Sequence, residues 1–182
     1  TYSATSFIHI SKKLNMSIKK IEFPKRYGGN IRVVFSKDNG LKDFRFIKKR
    51  EKKFIYEFSK MQKNINLWIN RKSLLIKNIF KTYGSIPAKA FPGRSAILVK
   101  LLNLDSKVIN AVYERPGSKK IGNYVPSTRI PIKSDKILFK NIKKYKLILN
   151  FAWHISSEIK DYLRKNGFKG KILNILDKKN FK

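Results

Sequence analysis

The 182-residue chain carries 43 Lys plus Arg against 11 Asp plus Glu, a formal charge of +32, and 42% of its residues are hydrophobic. That apolar share is enough for a core and rules out disorder throughout; no apolar run nears the ~20 residues of a membrane-crossing helix and no signal-peptide pattern opens the chain, so the cytosol is the expected address and no membrane partner is expected. Zero Cys excludes disulfides, thiolate nucleophiles and Cys-ligated zinc, and two His without a neighbouring acidic cluster argue against a catalytic metal site.

The charge points to a polyanion, a phosphate group or an acidic surface as partner. The Lys residues are spread along a chain that is also rich in Ile and Asn, so coding bias accounts for part of the excess equally well. The chain begins at Thr1 rather than Met and is expected to be a piece of a longer protein.

In chain order, Ser3 to Leu14 opens with capping candidates and sets Phe7, Ile10 and Leu14 at helical spacing. Strand-like runs Ser17 to Phe23 and Asn30 to Ser36 flank the turn PKRYGG and predict an antiparallel hairpin. From Asp43 to about Phe80 there is no Gly or Pro, and Ile47, Phe54, Phe58, Met61, Ile65, Trp68, Leu75 and Ile79 alternate at three and four, predicting one long amphipathic helix or two in series. Beyond it the pattern alternates: a strand near Lys81 to Gly84, a helix near Gly93 to Asn103, a strand Lys107 to Tyr113, a Gly- and Pro-rich loop, a helix near Asp135 to Asn141, a strand Tyr145 to Phe151, a helix Ser156 to Asn166 and a strand Gly170 to Leu176. Strand and helix in turn predict a small parallel α/β sheet.

In such a sheet ligands bind where the carboxyl ends of strands meet helix N-termini. Three loops qualify. YGSIPAKAFPGRS (Tyr83 to Ser95) offers Lys89 and Arg94 to an anion, or is a plain strand-to-helix turn. ERPGSKKIGNYVPSTRIPI (Glu114 to Ile132) places Glu114 at a strand end, where dinucleotide folds put an acid for a ribose hydroxyl, followed by Arg115, Lys119 and Lys120; alternatively its Pro residues simply fix a surface path. NFAWHISSEI (Asn150 to Ile159) offers His154 to a phosphate or hydroxyl, or as a base, and Ser156 as a helix cap; a packing role for His154 is the plainer reading, and Trp153 reads as core. No Ser-His-Asp order, close carboxylate pair or dinucleotide glycine motif occurs, so catalytic machinery is expected elsewhere.

Taken together, YGSIPAK, YERPGSKKIGNYVPSTRIPI, LNFAWHISSEI and YLRKNGFKGKIL resemble the C-terminal domain of the S-adenosylmethionine-dependent nucleotide-sugar C-methyltransferases of deoxysugar biosynthesis, with Gly122, Pro126, Thr128, Pro131 and Trp153 matching. RYGGNIRVVF (Arg26 to Phe35) resembles the family's HGGSLR-type stretch at the end of the methyl-donor domain. The resemblance implies residues 1–40 as the tail of that domain, 41–80 as a long connecting helix and 81–182 as a Rossmann-like substrate-binding domain. The zinc-binding domain and nearly all of the methyl-donor domain would be missing, which suits the absence of Cys.

Two departures stand out: AKAFPGRSAI stands where the family has AKGNTLL, so that Lys89 matches but the family's Asn and Thr have no counterparts, and Ser127 replaces a Gly. By the resemblance, a nucleotide-diphosphate sugar for surface polysaccharide is held by Lys89, Arg94, Glu114, Arg115, Lys119 and His154. S-adenosylmethionine and the catalytic base belong to the remainder of the methyltransferase, so no catalytic residue and no cofactor are assigned to this chain, which is expected to be inactive alone. The alternatives are a basic module binding nucleic acid non-specifically, and a degenerate remnant without a ligand.

Overall fold

The computed structural model describes residues 2–24, 30–41, 43–177 and 180. The chain divides into two compact units, Thr1–Gln62 and Lys63–Lys182.

In the first unit, helix α1 (Ala4–Lys13) starts at Ser3, whose hydroxyl accepts from the Ser6 N–H while the Ser6 hydroxyl accepts from the Ser3 N–H. This reciprocal box satisfies two N–H groups that the helix cannot bond itself. Strands β1 (Ser17–Glu22) and β2 (Arg32–Ser36) pair antiparallel, Ser17 opposite Ser36 and Glu22 opposite Arg32, as the alternation predicts. Of the PKRYGG turn at 24–29, residues 25–29, and with them the first residues of RYGGNIRVVF, lie outside the described residues. The Gly- and Pro-free run is two helices, α2 (Arg45–Glu51) and α3 (Phe54–Tyr83). Glu51 of α2 accepts from the Ala4 N–H at 2.7 Å and from the Thr5 hydroxyl, so a carboxylate meets the positive end of α1.

In the second unit, α3 buries Trp68, Lys72 and Ile76 at a spacing of four residues. The Trp68 indole N–H donates to the Ile175 carbonyl at 3.3 Å and the Lys72 ammonium to the Asn174 carbonyl at 2.9 Å. The helix runs on to Tyr83, and the first strand of the sheet, β3, is Ile86–Lys89 rather than Lys81 to Gly84. The apolar Ile79 and Phe80 continue the helical pattern, and Gly84, with φ +72°, stops it.

The chain continues as α4 (Ser95–Leu101), β4 (Ile109–Glu114), β5 (Ile132–Ser134), α5 (Asp135–Lys140), a 3-10 turn at Ile142–Lys144, β6 (Leu147–Asn150), a 3-10 turn at Trp153–Ile155, α6 (Ser156–Lys165) and β7 (Lys171–Asn174). All five strands are parallel, in the order β5-β4-β3-β6-β7. β5 has only three residues, and the sequence, read as loop there, does not announce it.

Two apolar layers flank the sheet. Ala88, Val112, Leu149 and Ile132 pack with Trp68 and Ile76 of α3 and Val99 of α4. Ala111, Tyr113 and Ile148 pack with Leu138 of α5 and Ile159 and Leu163 of α6. Helices therefore cover both faces, and strands buried on both sides carry continuous apolar runs instead of alternating ones. The fold is the α/β class that the alternation predicts, a parallel sheet with flanking helices, with a hairpin ahead of the long helix. Among the described residues no helix is long and apolar enough to cross a membrane.

Candidate functional site

The order β5-β4-β3-β6-β7 reverses direction between β3 and β6. Their chains leave the carboxyl edge toward opposite faces, α4 on one and α6 on the other, which opens the crevice where doubly wound sheets take ligands. Lys89 and Asn150, the terminal residues of β3 and β6, are register partners, and Lys89 also faces Tyr113 of β4.

Lys89 does not project into that crevice as a free cation. It is 1% exposed, and its ammonium donates to Oδ2 of Asp135 at 2.8 Å and to the Tyr113 carbonyl at 3.2 Å. Asp135, also 1% exposed, takes a second hydrogen bond on Oδ2 from the Tyr162 hydroxyl at 2.8 Å. Burial pulls the Lys89 pKa below its usual value, against the pull of Asp135. Burial and the bond to Asp135 raise Tyr162 to about 12. β3, β4, α5 and α6 are thus tied together at one buried ion pair. The Arg115 guanidinium carbon sits 4.6 Å from the centroid of the Tyr162 ring.

Glu114 acts first on its own scaffold. Its Oε1 accepts from the Phe91 N–H at 2.8 Å and from the Lys120 ammonium at 3.4 Å, while Lys120 also donates to the Phe91 carbonyl at 2.6 Å. The loop after β3 is pinned to the loop after β4 through one carboxylate and one ammonium. Ala90, between Lys89 and Phe91, has φ +61°, a left-handed conformation that costs a residue with a Cβ about 1–2 kcal/mol. Its N–H donates to the Tyr113 carbonyl at 3.0 Å, one of the contacts that hold it there.

Residues 115–131 form an ordered loop. Gly122 donates to the Ile132 carbonyl, Ile132 to the Asn123 carbonyl, and Val125 to the Ile130 carbonyl. Thr128 closes the tip, its hydroxyl donating to the Val125 carbonyl at 2.8 Å and accepting from Ile130 at 3.1 Å. Ser127 adopts φ +60°, so the turn keeps the conformation that a Gly takes freely. Much of the distal loop's backbone is spent on itself; of its exposed cations, Arg129 follows Thr128 in the distal part, and Arg115, Lys119 and Lys120 lie in the part that follows β4.

Across the crevice the ends of β6, β7 and α6 are tied to one another by uncharged groups. Asn150, fully buried, donates from its amide to Oδ1 of Asn174 at 2.9 Å and accepts from the Ala152 N–H at 2.9 Å. Ser156 is not a helix cap: the Asn174 Oδ1 at the end of β7 takes its hydroxyl at 2.9 Å, and the capping position belongs to Ile155, which has no side-chain cap. His154 is exposed, in the turn before α6, against the edge of Trp153. Partial burial and then the neighbouring Arg94 lower its pKa below the usual 6.5, with Glu158 opposing. Arg94 is the exposed N-cap residue of α4, so the loops after β3 and β6 bring a cation and an imidazole within electrostatic reach. Among the described residues no group of three or more His, Asp or Glu could hold a metal ion.

The family described as C-methyltransferase C-terminal domain matches residues 25–173, most of the chain. The chain belongs to that family. Comparison with curated proteins finds no match.

For this C-methyltransferase C-terminal domain, sequence reasoning overlooked Asp135, Tyr162, Lys120 as a brace, and Asn150. Asp135 had a signal: in a chain with 11 acids, one at the first position of a helix beyond the sheet is a strong candidate partner for a strand-end Lys. Tyr162 had none, since a Tyr inside an amphipathic helix reads as packing.

Proposed function

We propose that this domain holds the diphosphate and nucleoside of a nucleotide-sugar for an S-adenosylmethionine-dependent C-methyltransferase acting in deoxysugar or surface-polysaccharide biosynthesis. One observation carries the reading: the sheet's point of reversal is flanked by Arg94 and His154 and by Arg115 and Lys119, and neither Arg115 nor Lys119 has a carboxylate within ion-pair distance among the described residues. Cations without carboxylate partners around a crevice favour a multiply charged anion, and a guanidinium fork suits phosphate oxygens. Lys89 then serves as a buried brace, and the Glu114 carboxylate, held by Phe91 and Lys120 through Oε1, presents Oε2 to a hydroxyl.

The methyl donor itself carries a sulfonium cation, which this cationic rim does not suit. Methyl transfer to carbon needs a proton removed beside a carbonyl and an enolate stabilised. We assign the methyl donor and the base to the rest of the enzyme, with residues 1–40 as the tail of the donor domain and 41–80 as the connection. This chain's share is to bind and orient, consistent with an effective concentration gained by fixing the sugar in place.

Titration calorimetry of the chain with nucleoside diphosphates and their sugars tests the reading. Saturable binding that persists at physiological salt supports it. Absence of binding to every member of the panel would overturn it, and affinity for DNA or RNA that falls steeply with salt would favour the charge-driven alternative instead.

A further inference from the structure

The buried network ends in an arrangement that the packing of the sheet does not require. Tyr162 projects from α6, its hydroxyl fixed on Asp135 at 2.8 Å, and its ring lies 4.6 Å under the guanidinium of Arg115, which comes from the loop after β4. Asp135 is already neutralised by Lys89 at 2.8 Å, so its charge is not available to Arg115. Among the described residues no carboxylate lies within ion-pair distance of Arg115. A ring face fixes a guanidinium without engaging its N–H groups in hydrogen bonds, so the donors stay open to a further partner. A carboxylate in the same place would fix the side chain as well but would occupy the fork.

We propose that Tyr162 is the positioning residue for Arg115, and that the Lys89–Asp135–Tyr162 chain exists at this edge to hold one guanidinium fork open toward a diphosphate. The inference rests on the reading that the crevice takes a nucleoside diphosphate. It gives the buried Lys89 a role by way of Asp135 and Tyr162, without contact between Lys89 and the ligand. It also separates two functions in one side chain: the hydroxyl locks the ring, and the ring carries the cation.

The test uses calorimetric binding of inorganic pyrophosphate and of nucleoside diphosphates to the full chain, with thermal unfolding measured alongside. Tyr162→Leu is expected to weaken binding about tenfold, as far as Arg115→Ala does, and the double variant no further, because both remove the same oriented fork. Tyr162→Phe keeps the ring, loses the same hydroxyl bond to Asp135, and is expected to bind within about threefold of the parent while melting lower. A purely structural Tyr162 would instead give affinity that tracks the melting temperature across Phe and Leu, with losses that multiply with that of Arg115→Ala. If the parent binds and Tyr162→Leu binds equally well, or if the losses of Tyr162→Leu and Arg115→Ala multiply, the positioning role is wrong and the ligand reading survives. If the parent binds neither pyrophosphate nor any nucleoside diphosphate, the ligand reading falls and takes this inference with it.

Discussion

The two flanks of the crevice hold the same kind of strand end by different chemistry. On the β3–β4 side the ties are ionic: Lys89 with Asp135, and Lys120 with Glu114. On the β6–β7 side the strand ends are joined to each other by amides and a hydroxyl, Asn150, Asn174 and Ser156, and charge enters only where Lys72 and Asp177, 3.8 Å apart, engage the carbonyl and the amide of Asn174. A buried ion pair must recover a large desolvation cost and fails badly when one member is lost, whereas a neutral network loses about one hydrogen bond at a time. The ionic flank is the one that also presents Arg115 and Lys119, so its buried cation is cancelled locally and the outward ones are left uncancelled.

The sharpest way to break this contrast is to remove one side of the pair. Asp135→Leu should cost about 3–5 kcal/mol in chemical denaturation, and the double change Lys89→Met with Asp135→Leu should recover most of it, because two apolar groups need no partner. The matching change on the other flank, Asn150→Ala, should cost about 1–3 kcal/mol, mainly from the orphaned Ala152 N–H. Equal losses for Asp135→Leu and Asn150→Ala would erase the distinction.

Titration sharpens it further. The folded Lys89 has a pKa lowered below 10.5 by burial. As pH rises through that folded value the native state releases its proton before the unfolded chain does, so stability should rise with pH up to about 10.5 relative to Lys89→Met. Asn150→Ala should leave that slope unchanged. In binding, His154 starts from a lowered pKa, partly because of Arg94. An anion in the crevice reverses that repulsion and favours the imidazolium, so diphosphate affinity should increase as pH falls from 7.5 to 5.5 by roughly two- to fivefold. His154→Gln should remove this increment, leaving the change due to the phosphate's own protonation.

The smallest effect expected lies outside both flanks. Ser127, exposed with φ +60°, should gain about 0.5–1 kcal/mol on change to Gly, read as a rise in melting temperature, with diphosphate binding unaltered.

Element types were legible because apolar periodicity survives burial on both sheet faces: the runs at Ile109–Tyr113 and Leu147–Phe151 announce their strands. The start of β3 was not, because Lys81–Tyr83 extend the helix and no side-chain pattern separates a final helical turn from an approaching strand. β5 escaped because three residues are too few to show a period. At the site, position along the chain placed Glu114 and Arg115 at the end of β4, since a parallel sheet fixes where its loops lie, whereas His154 falls four residues past the end of β6, in the turn before α6. What a strand-end Lys does with its charge is set by a helix 46 residues away, and no local pattern encodes that partner.

The anchoring of α3 has a bearing on synthesis. Trp68 and Lys72 lie near the start of the second unit, yet the carbonyls they bond, of Ile175 and Asn174, are 107 and 102 residues further along the chain. On the ribosome, α3 emerges well before those partners, and a contact of such long range is closed only after its intervening chain is made. Until β7 joins the sheet, the Lys72 ammonium stays in water and its helix is held only by the apolar side chains beside it.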